Sequence, residues 1–228
     1  MIMELSRSFY TNMKRNHRQQ IKWQQAQALF EALKCRDADT AMHSLVTGYV
    51  SVQLLIHLRF QCAFLQHMRI DDVYLGGLLH DIGKLSMGDD ILKSDKKLDQ
   101  SQRDELEGHV AEGVGILRKL GMEKDIVDLC LYHHERADGS GYPAGRMEVP
   151  AIGRLAAVAD VYAAMKVPRA YQDMERSDAD IIGYFYSNYE QYDLTIIDAL
   201  AEVVKQLAQN GDKSGNIGEV HDEKGARR

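Results

Sequence analysis

Only three prolines (Pro143, Pro150 and Pro168) interrupt this chain of 228 residues, and no stretch alternates apolar and polar side chains at period two. Together these features constrain the fold more than any other. Proline breaks helices because it lacks an N–H and clashes with the preceding turn, so its scarcity leaves long helices undisturbed. A half-buried sheet needs the missing period-two pattern. The chain therefore reads as all-α, a helical bundle. At 45% hydrophobic and 27% charged residues, it can bury a core and is not disordered as a whole.

Helical periodicity runs over residues 5–34, 39–67, 71–80, 102–120, 125–134, 152–165, 177–188 and 194–209. The first of these is polar and Gln-rich. Its thin apolar stripe is Ile21, Leu29 and Leu33, with Trp23 and Phe30 nearby. Gly121 is placed to end a helix, where its backbone freedom is useful. Residues 88–99 and the segment Asp138–Pro143 carry loop and turn chemistry. Residues 1–36 read as an N-terminal helical extension and 37–209 as the principal domain. The Gly-rich, polar residues 210–228 are expected to form a disordered tail.

The net charge is −6, unevenly spread: residues 1–36 carry +5 and residues 37–207 carry −11. An acidic domain argues against a duplex nucleic-acid binder, which needs a basic face. The basic run Lys14–Arg18 reads as a solvated face. Residues 40–58 contain no Asp, Glu, Lys or Arg, but His43, Ser44, Thr47, Ser51, Gln53 and His57 are costly in lipid. No membrane span is expected. Cys35, Cys62 and Cys130 form no CxxC pair and read as free thiols in a reducing compartment. Met1–Tyr10 lacks the apolar core of a signal peptide, so a cytoplasmic location is expected.

The chemistry lies in the histidines. His17, His57, His67 and His221 read as satisfied core histidines. His43, His80, His109, His133 and His134 are different, because each stands at the edge of an apolar helical run. Asp81 follows His80, and Asp160 sits in the otherwise apolar stretch Leu155–Val161. A buried carboxylate without a partner is expensive. Five histidines and two aspartates in such settings are explained together by bound metal. The adjacent pairs His80-Asp81 and His133-His134 cannot share one helical face, since neighbours differ by ~100°. At helix ends they can reach two ions.

These residues form an ordered set: His80-Asp81-Ile82-Gly83-Lys84, then His109, then His133-His134-Glu135 running into Asp138-Gly139-Ser140-Gly141-Tyr142-Pro143. The set resembles the HD-GYP subgroup of HD-domain phosphohydrolases. Asp37, Thr40 and His43 resemble that family's opening segment, and Asp160, Arg169 and Tyr171 its last ligand and substrate-binding stretch. The resemblance implies an all-α bundle holding two or three divalent ions, iron or manganese. It implies hydrolysis of cyclic-di-GMP to pGpG or on to GMP. The implied ligands are His43, His80, Asp81, His109, His133, His134 and Asp160, with Asp81 as the bridge. Asp39, four residues before His43, is the implied ligand of a third ion.

Lys84 and Arg169, with Tyr171, are implied to hold the substrate, and His80, Asp81 and Lys84 to form the catalytic set. The GYP loop is an implied contact for a GGDEF-type cyclase, and a second copy of the chain is a further candidate partner. Ala163, Gly88 and Ala170 depart from the family's usual residues without removing a ligand.

The mechanism expected from charge alone agrees. Two divalent ions ~3.5–4 Å apart share a water and lower its pKa, and the resulting bridging hydroxide attacks phosphorus. Neutral imidazoles leave the ions' charge intact, so an acidic domain still attracts an anionic substrate. Rival readings are an HD enzyme for another cyclic dinucleotide or a nucleotide, and a non-catalytic sensor of the dinucleotide or its cyclase.

Overall fold

The computed structural model describes residues 2–12, 17–94, 97–168 and 176–215. Among them are eleven α-helices and no strand. They are α1 (Ile2–Asn12), α2 (His17–Arg36), α3 (Ala38–Leu58), α4 (Ile70–Leu79), α5 (Asp89–Leu92) and α6 (Gln100–Glu107). Then follow α7 (His109–Lys119), α8 (Lys124–Tyr132), α9 (Ala151–Lys166), α10 (Asp178–Ser187) and α11 (Leu194–Gly215). Short 3-10 turns cover Ala63–Leu65, Ile82–Ser86 and Tyr189–Gln191. The all-α expectation holds.

Helix α3 is the axis of the bundle. Helices α1, α2, α4, α9 and α11 all pack on it. The lack of charged residues over 40–58 now has a plain cause: 78% of the helix's most apolar stretch is buried inside the fold. By length and composition alone it could cross a membrane, yet here it is a core helix. Asp37 caps its start, accepting the Asp39 N–H at 3.1 Å and the Thr40 hydroxyl at 2.6 Å.

Two close approaches set the bundle's geometry. A Cβ on Gly77 would lie 2.5 Å from Gly48 Cα, so α4 and α3 cross at backbone contact. A Cβ on Gly76 would lie 2.9 Å from Leu129 Cβ, which brings α8 against the other face of α4. The Gly-Gly pair thus lets one helix touch both neighbours. His43 and His80 come together because each lies within a turn or two of this crossing.

Several expected elements change on folding. The expected helix over 5–34 is two described helices, α1 and α2. The buried stripe of α2 is Trp23, Ala26, Phe30 and Leu33, while Ile21 is 49% exposed. This 3-4-3 spacing seats α2 in the same core as α3 and α4, so residues 17–36 are not an appendage. The helix expected over 39–67 ends at Leu58. The helix expected over 102–120 is broken at Gly108 into α6 and α7.

At α6, Asp99 and Gln102 form a reciprocal capping box. At the end of α7, Gly121 takes φ +64° and Met122 N–H donates to Leu117 O at 3.0 Å, as expected for a glycine that closes a helix. The last helix continues to Gly215, six residues into the expected tail. The remainder of that tail, 216–228, lies outside the described residues, as do His221 and the basic residues Lys14 and Arg15. His67 is exposed rather than a core histidine.

Candidate metal centre

Seven side chains from five elements converge at one end of the bundle. His43 comes from α3, His80 and Asp81 from the end of α4 and the start of its 3-10 turn, and His109 from the first residue of α7. His133 and His134 follow the last turn of α8, and Asp160 lies within α9. The helix ends explain how adjacent residues both reach the centre. His133 is the C-terminal cap residue of α8, so the chain turns before His134.

The donors form two groups, His43–His80–Asp160 and Asp81–His109–His133–His134, each with its ligand atoms within 4.8 Å of one another. Two carboxylates join them. Asp81 Oδ2 lies 3.3 Å from His80 Nε2, and its Oδ1 lies 3.2 Å from His109 Nε2. Asp160 Oδ1 lies 3.0 Å from His43 Nε2 and 3.4 Å from His80 Nε2, while its Oδ2 lies 3.7 Å from His134 Nδ1. His43 and His80 meet Nε2 to Nε2 at 3.1 Å, and His109 and His133 at 3.3 Å.

The outer shell fixes which nitrogen faces inward. His80 Nδ1 is 2.7 Å from Gly77 O, His109 Nδ1 is 2.6 Å from Leu106 O, and His133 Nδ1 is 2.7 Å from Cys130 O. A carbonyl accepts only, so each Nδ1 carries a proton, and each ring turns its Nε2 to the centre. The break at Gly108 serves the same end, because it turns His109 back onto the carbonyl of Leu106.

This donor set fits divalent metal. His109 Nε2, once its proton is on Nδ1, cannot donate to Asp81, and buried Asp81 Oδ1 indeed has no hydrogen-bond partner. Lone pairs of His109 and His133 face each other across 3.3 Å. Such an array of acceptors is satisfied by a cation and by little else.

Electrostatics separate the rings. Burial holds His43 and His133 below the usual imidazole range, and holds His134 down at about 3 despite Asp160. Burial also disfavours charge on His80, but Asp81 and Asp160 outweigh it and lift the ring to about 10. Burial disfavours charge on both carboxylates too. It is overcome by Lys84 and His80 at Asp81, and by His43 and His80 at Asp160, so both stay well below the ordinary carboxyl range. In the metal-free protein a proton on His80 therefore occupies the middle of the three-residue group.

Three residues support this shell. Lys84 Nζ donates to Asp81 Oδ2 at 2.6 Å. The Tyr142 ring lies over His134, centroids 4.4 Å apart at 30°, and burial with the nearby Asp160 and Asp81 raises its hydroxyl's pKa. Glu135, 1% exposed, accepts the N–H groups of Ala144 at 2.9 Å and Arg146 at 3.1 Å. It thereby ties the GYP loop to the ligand pair. A Cβ on Gly141 would lie 2.3 Å from His134 O, so only glycine lets this loop lie so close. Sequence reasoning quoted Glu135 within its motif but gave it no role, because its partners lie 9 and 11 residues downstream.

Asp39, expected as a third-ion ligand, does not join the cluster. It is exposed in the first turn of α3 and belongs to neither ligand group. The i,i+4 spacing puts it on His43's face but one turn nearer the solvent end of the helix. Arg169 and Tyr171, the expected substrate contacts, lie outside the described residues.

The HD domain family matches this chain over residues 63–196. The chain belongs to the HD domain family. HD domains are metal-dependent, and the histidine–aspartate cluster is where this HD domain can hold metal. A cyclic di-GMP phosphodiesterase of Pseudomonas aeruginosa is 35% identical over 143 residues, 61% of this chain and 33% of that protein. A 3'3'-cGAMP-specific phosphodiesterase of Vibrio cholerae is 39% identical over 100 residues, 42% of this chain and 19% of that protein. The chain thus aligns with a third or less of each of these relatives' length. The HD domain of the L. monocytogenes phosphodiesterase PgpH, solved in complex with cyclic-di-AMP, shares the fold. Its TM-score is 0.58 at 15% identity, covering 88% of this chain and 100% of that one.

Proposed function

We propose that this HD domain hydrolyses cyclic-di-GMP to pGpG or GMP with two divalent ions, iron or manganese. One observation carries the reading: a buried carboxylate, Asp81, turns one oxygen to each of two imidazole-rich groups. His43, His80 and Asp160 would hold one ion, and His109, His133 and His134 the other, with Asp81 between them. Bound ions supply Lewis acidity and water activation near neutral pH. The chain's own residues do the rest. The carbonyls of Gly77, Leu106 and Cys130 orient three rings, and the low-charge imidazoles leave the centre attractive to a phosphodiester anion. Lys84, 19% exposed on a turn beside Asp81, holds one N–H on that carboxylate and has others for a phosphate oxygen.

A second reading has its own support. Relatives named for 3'3'-cGAMP share 36–39% identity with parts of this chain, so a mixed cyclic dinucleotide is the rival substrate. Around the site, Met147 stands 73% exposed on the loop that Glu135 anchors. That surface suits a protein partner such as a GGDEF-type cyclase. The free thiols Cys35, Cys62 and Cys130 suit a reducing cytoplasm.

One assay tests these readings. The chain is purified anaerobically, its metal content measured, and the iron- and manganese-loaded forms offered cyclic-di-GMP, 3'3'-cGAMP, cyclic-di-AMP and mononucleotides. The expected result is linear or monomeric guanylate from cyclic-di-GMP. Faster turnover of 3'3'-cGAMP would install the rival. Tight binding without turnover in either metal form would leave a sensor.

A further inference from the structure

The family match begins at residue 63, but α2 lies ahead of it and touches the elements that carry the ligands. The Trp23 ring stacks on Tyr74 of α4 at 5.6 Å and 11°. Lys22 pairs with Glu123, the cap residue of α8. The last residue of α2, Arg36, reaches the 3-10 turn that follows Asp81. Its Nη2 donates to Met87 O at 2.7 Å, and its Nη1 pairs with Asp89. Met87 N–H in turn donates to Lys84 O at 3.2 Å. Met87 is therefore held through both of its backbone groups, its carbonyl by the guanidinium and its N–H by Lys84 O.

We propose that Arg36 is a positioning residue for Lys84, fixing the Ile82–Ser86 turn so that the ammonium meets both Asp81 and the substrate. This rests on the functional reading above. The geometry is specific to arginine. One planar fork serves a carbonyl and a carboxylate at once, which a lysine ammonium on a flexible stem does poorly. Arg36 also stands directly before Asp37, the cap of α3. It thus joins the start of the His43 helix to the turn bearing Asp81 and Lys84. Gly83 and the Ser86 hydroxyl, which donates to Gly83 O at 2.7 Å, hold the near side of the turn; Arg36 holds the far side. Misplacement by ~1 Å can cost about 100-fold in rate, so a smaller shift of a turn still held at its other end should cost about tenfold.

The test uses the whole 228-residue chain, loaded with metal. Arg36→Gln should lower kcat/KM for cyclic-di-GMP about tenfold with metal content unchanged, and Arg36→Lys should recover part of the loss. In a Lys84→Met background, Arg36→Gln should cost less than about twofold, because no ammonium is left for Arg36 to position. Amide hydrogen exchange over residues 82–89 should quicken in Arg36→Gln while α9 stays as in the wild type. Wild-type kinetics in Arg36→Gln, an undiminished tenfold loss in the Lys84→Met background, or unchanged exchange in the turn would each overturn the inference. A wild-type chain that turns over no phosphodiester sinks the functional reading instead. Exchange in the turn still judges Arg36, because it needs no turnover.

Discussion

The two ligand groups of this HD domain are built from similar residues but hold their protons differently. In the group of Asp81, His109, His133 and His134, burial keeps His133 and His134 uncharged, and backbone carbonyls pin His109 and His133. This half presents lone pairs at neutral pH. In the group of His43, His80 and Asp160, His80 lies within reach of two carboxylates and is lifted to about 10. His43 Nδ1 is buried without a hydrogen-bond partner, whereas His80 is held by Gly77 O, and it is His80 that carries the proton. One half is ready for a cation, and the other must first give up a proton.

The comparison can be broken most severely at Asp81, which belongs to both halves. Asp81→Ala should remove both ions and abolish phosphodiester turnover, a loss beyond the 10–100-fold expected for an outer-shell residue. Metal analysis and turnover together check it. Retained metal in either half would show that the halves do not share this carboxylate.

Next in size is Glu135→Ala, which frees the N–H groups of Ala144 and Arg146 and unties the loop bearing Tyr142. Turnover should fall roughly 10–100-fold, with the metal near His134 lost before the metal near His43. Metal titration followed by steady-state kinetics reads the order.

The proton difference predicts two distinguishable binding steps. Binding at the His43–His80–Asp160 group should release about one proton at pH 7 and strengthen with rising pH up to about 10. The other group should bind with little release, since His133 and His134 are already neutral. Calorimetry in buffers of different ionisation enthalpy measures both. In the metal-free protein the same proton stabilises the fold. His80's pKa is raised on folding, so its contribution is full below the unfolded value of about 6.5. It is lost as pH climbs toward 10. Thermal melts of the metal-free protein at pH 6 and pH 9 should show that decline.

The smallest effects come from single methyl groups. Gly77→Ala presses on Gly48 and should loosen the His43–His80 pair. Gly83→Ala presses on the His109 carbonyl, where an added Cβ would lie at 1.9 Å, and should loosen the other half. Each is expected to cost about 3 kcal/mol or more, at or above the top of the usual overpacking range, because the clash is with backbone, read as a shift in denaturation midpoint. Metal loss should be confined to the half that was touched.

Much of this centre was legible in the sequence. A histidine or aspartate at the rim of an apolar helical run is costly enough to need a reason, and seven such residues pointed to metal before any fold was known. Asp39 shows the limit of that reasoning. Helical spacing put it on the face of His43, but spacing does not say which end of a helix is buried. The role of Glu135 was hidden for a related cause, since its partners are backbone N–H groups on a loop whose path the motif does not describe. The expected helix over 102–120 ran straight through Gly108, and only the tertiary structure shows the break there, with the Gly83 turn packed on the start of α7.

By itself, then, the sequence determined the all-α class, the end of α7 at Gly121, and which seven polar side chains needed a common reason for burial, because local periodicity and the cost of burying polar groups are properties of short stretches. The tertiary structure alone decided how those ligands divide into two groups, which of them keeps a proton, and that α2 belongs to the same core. Those outcomes depend on how closely helices cross, at Gly48 against Gly77 and at Gly83 against His109. That distance is set by the packing of residues tens of positions apart, which no local pattern records.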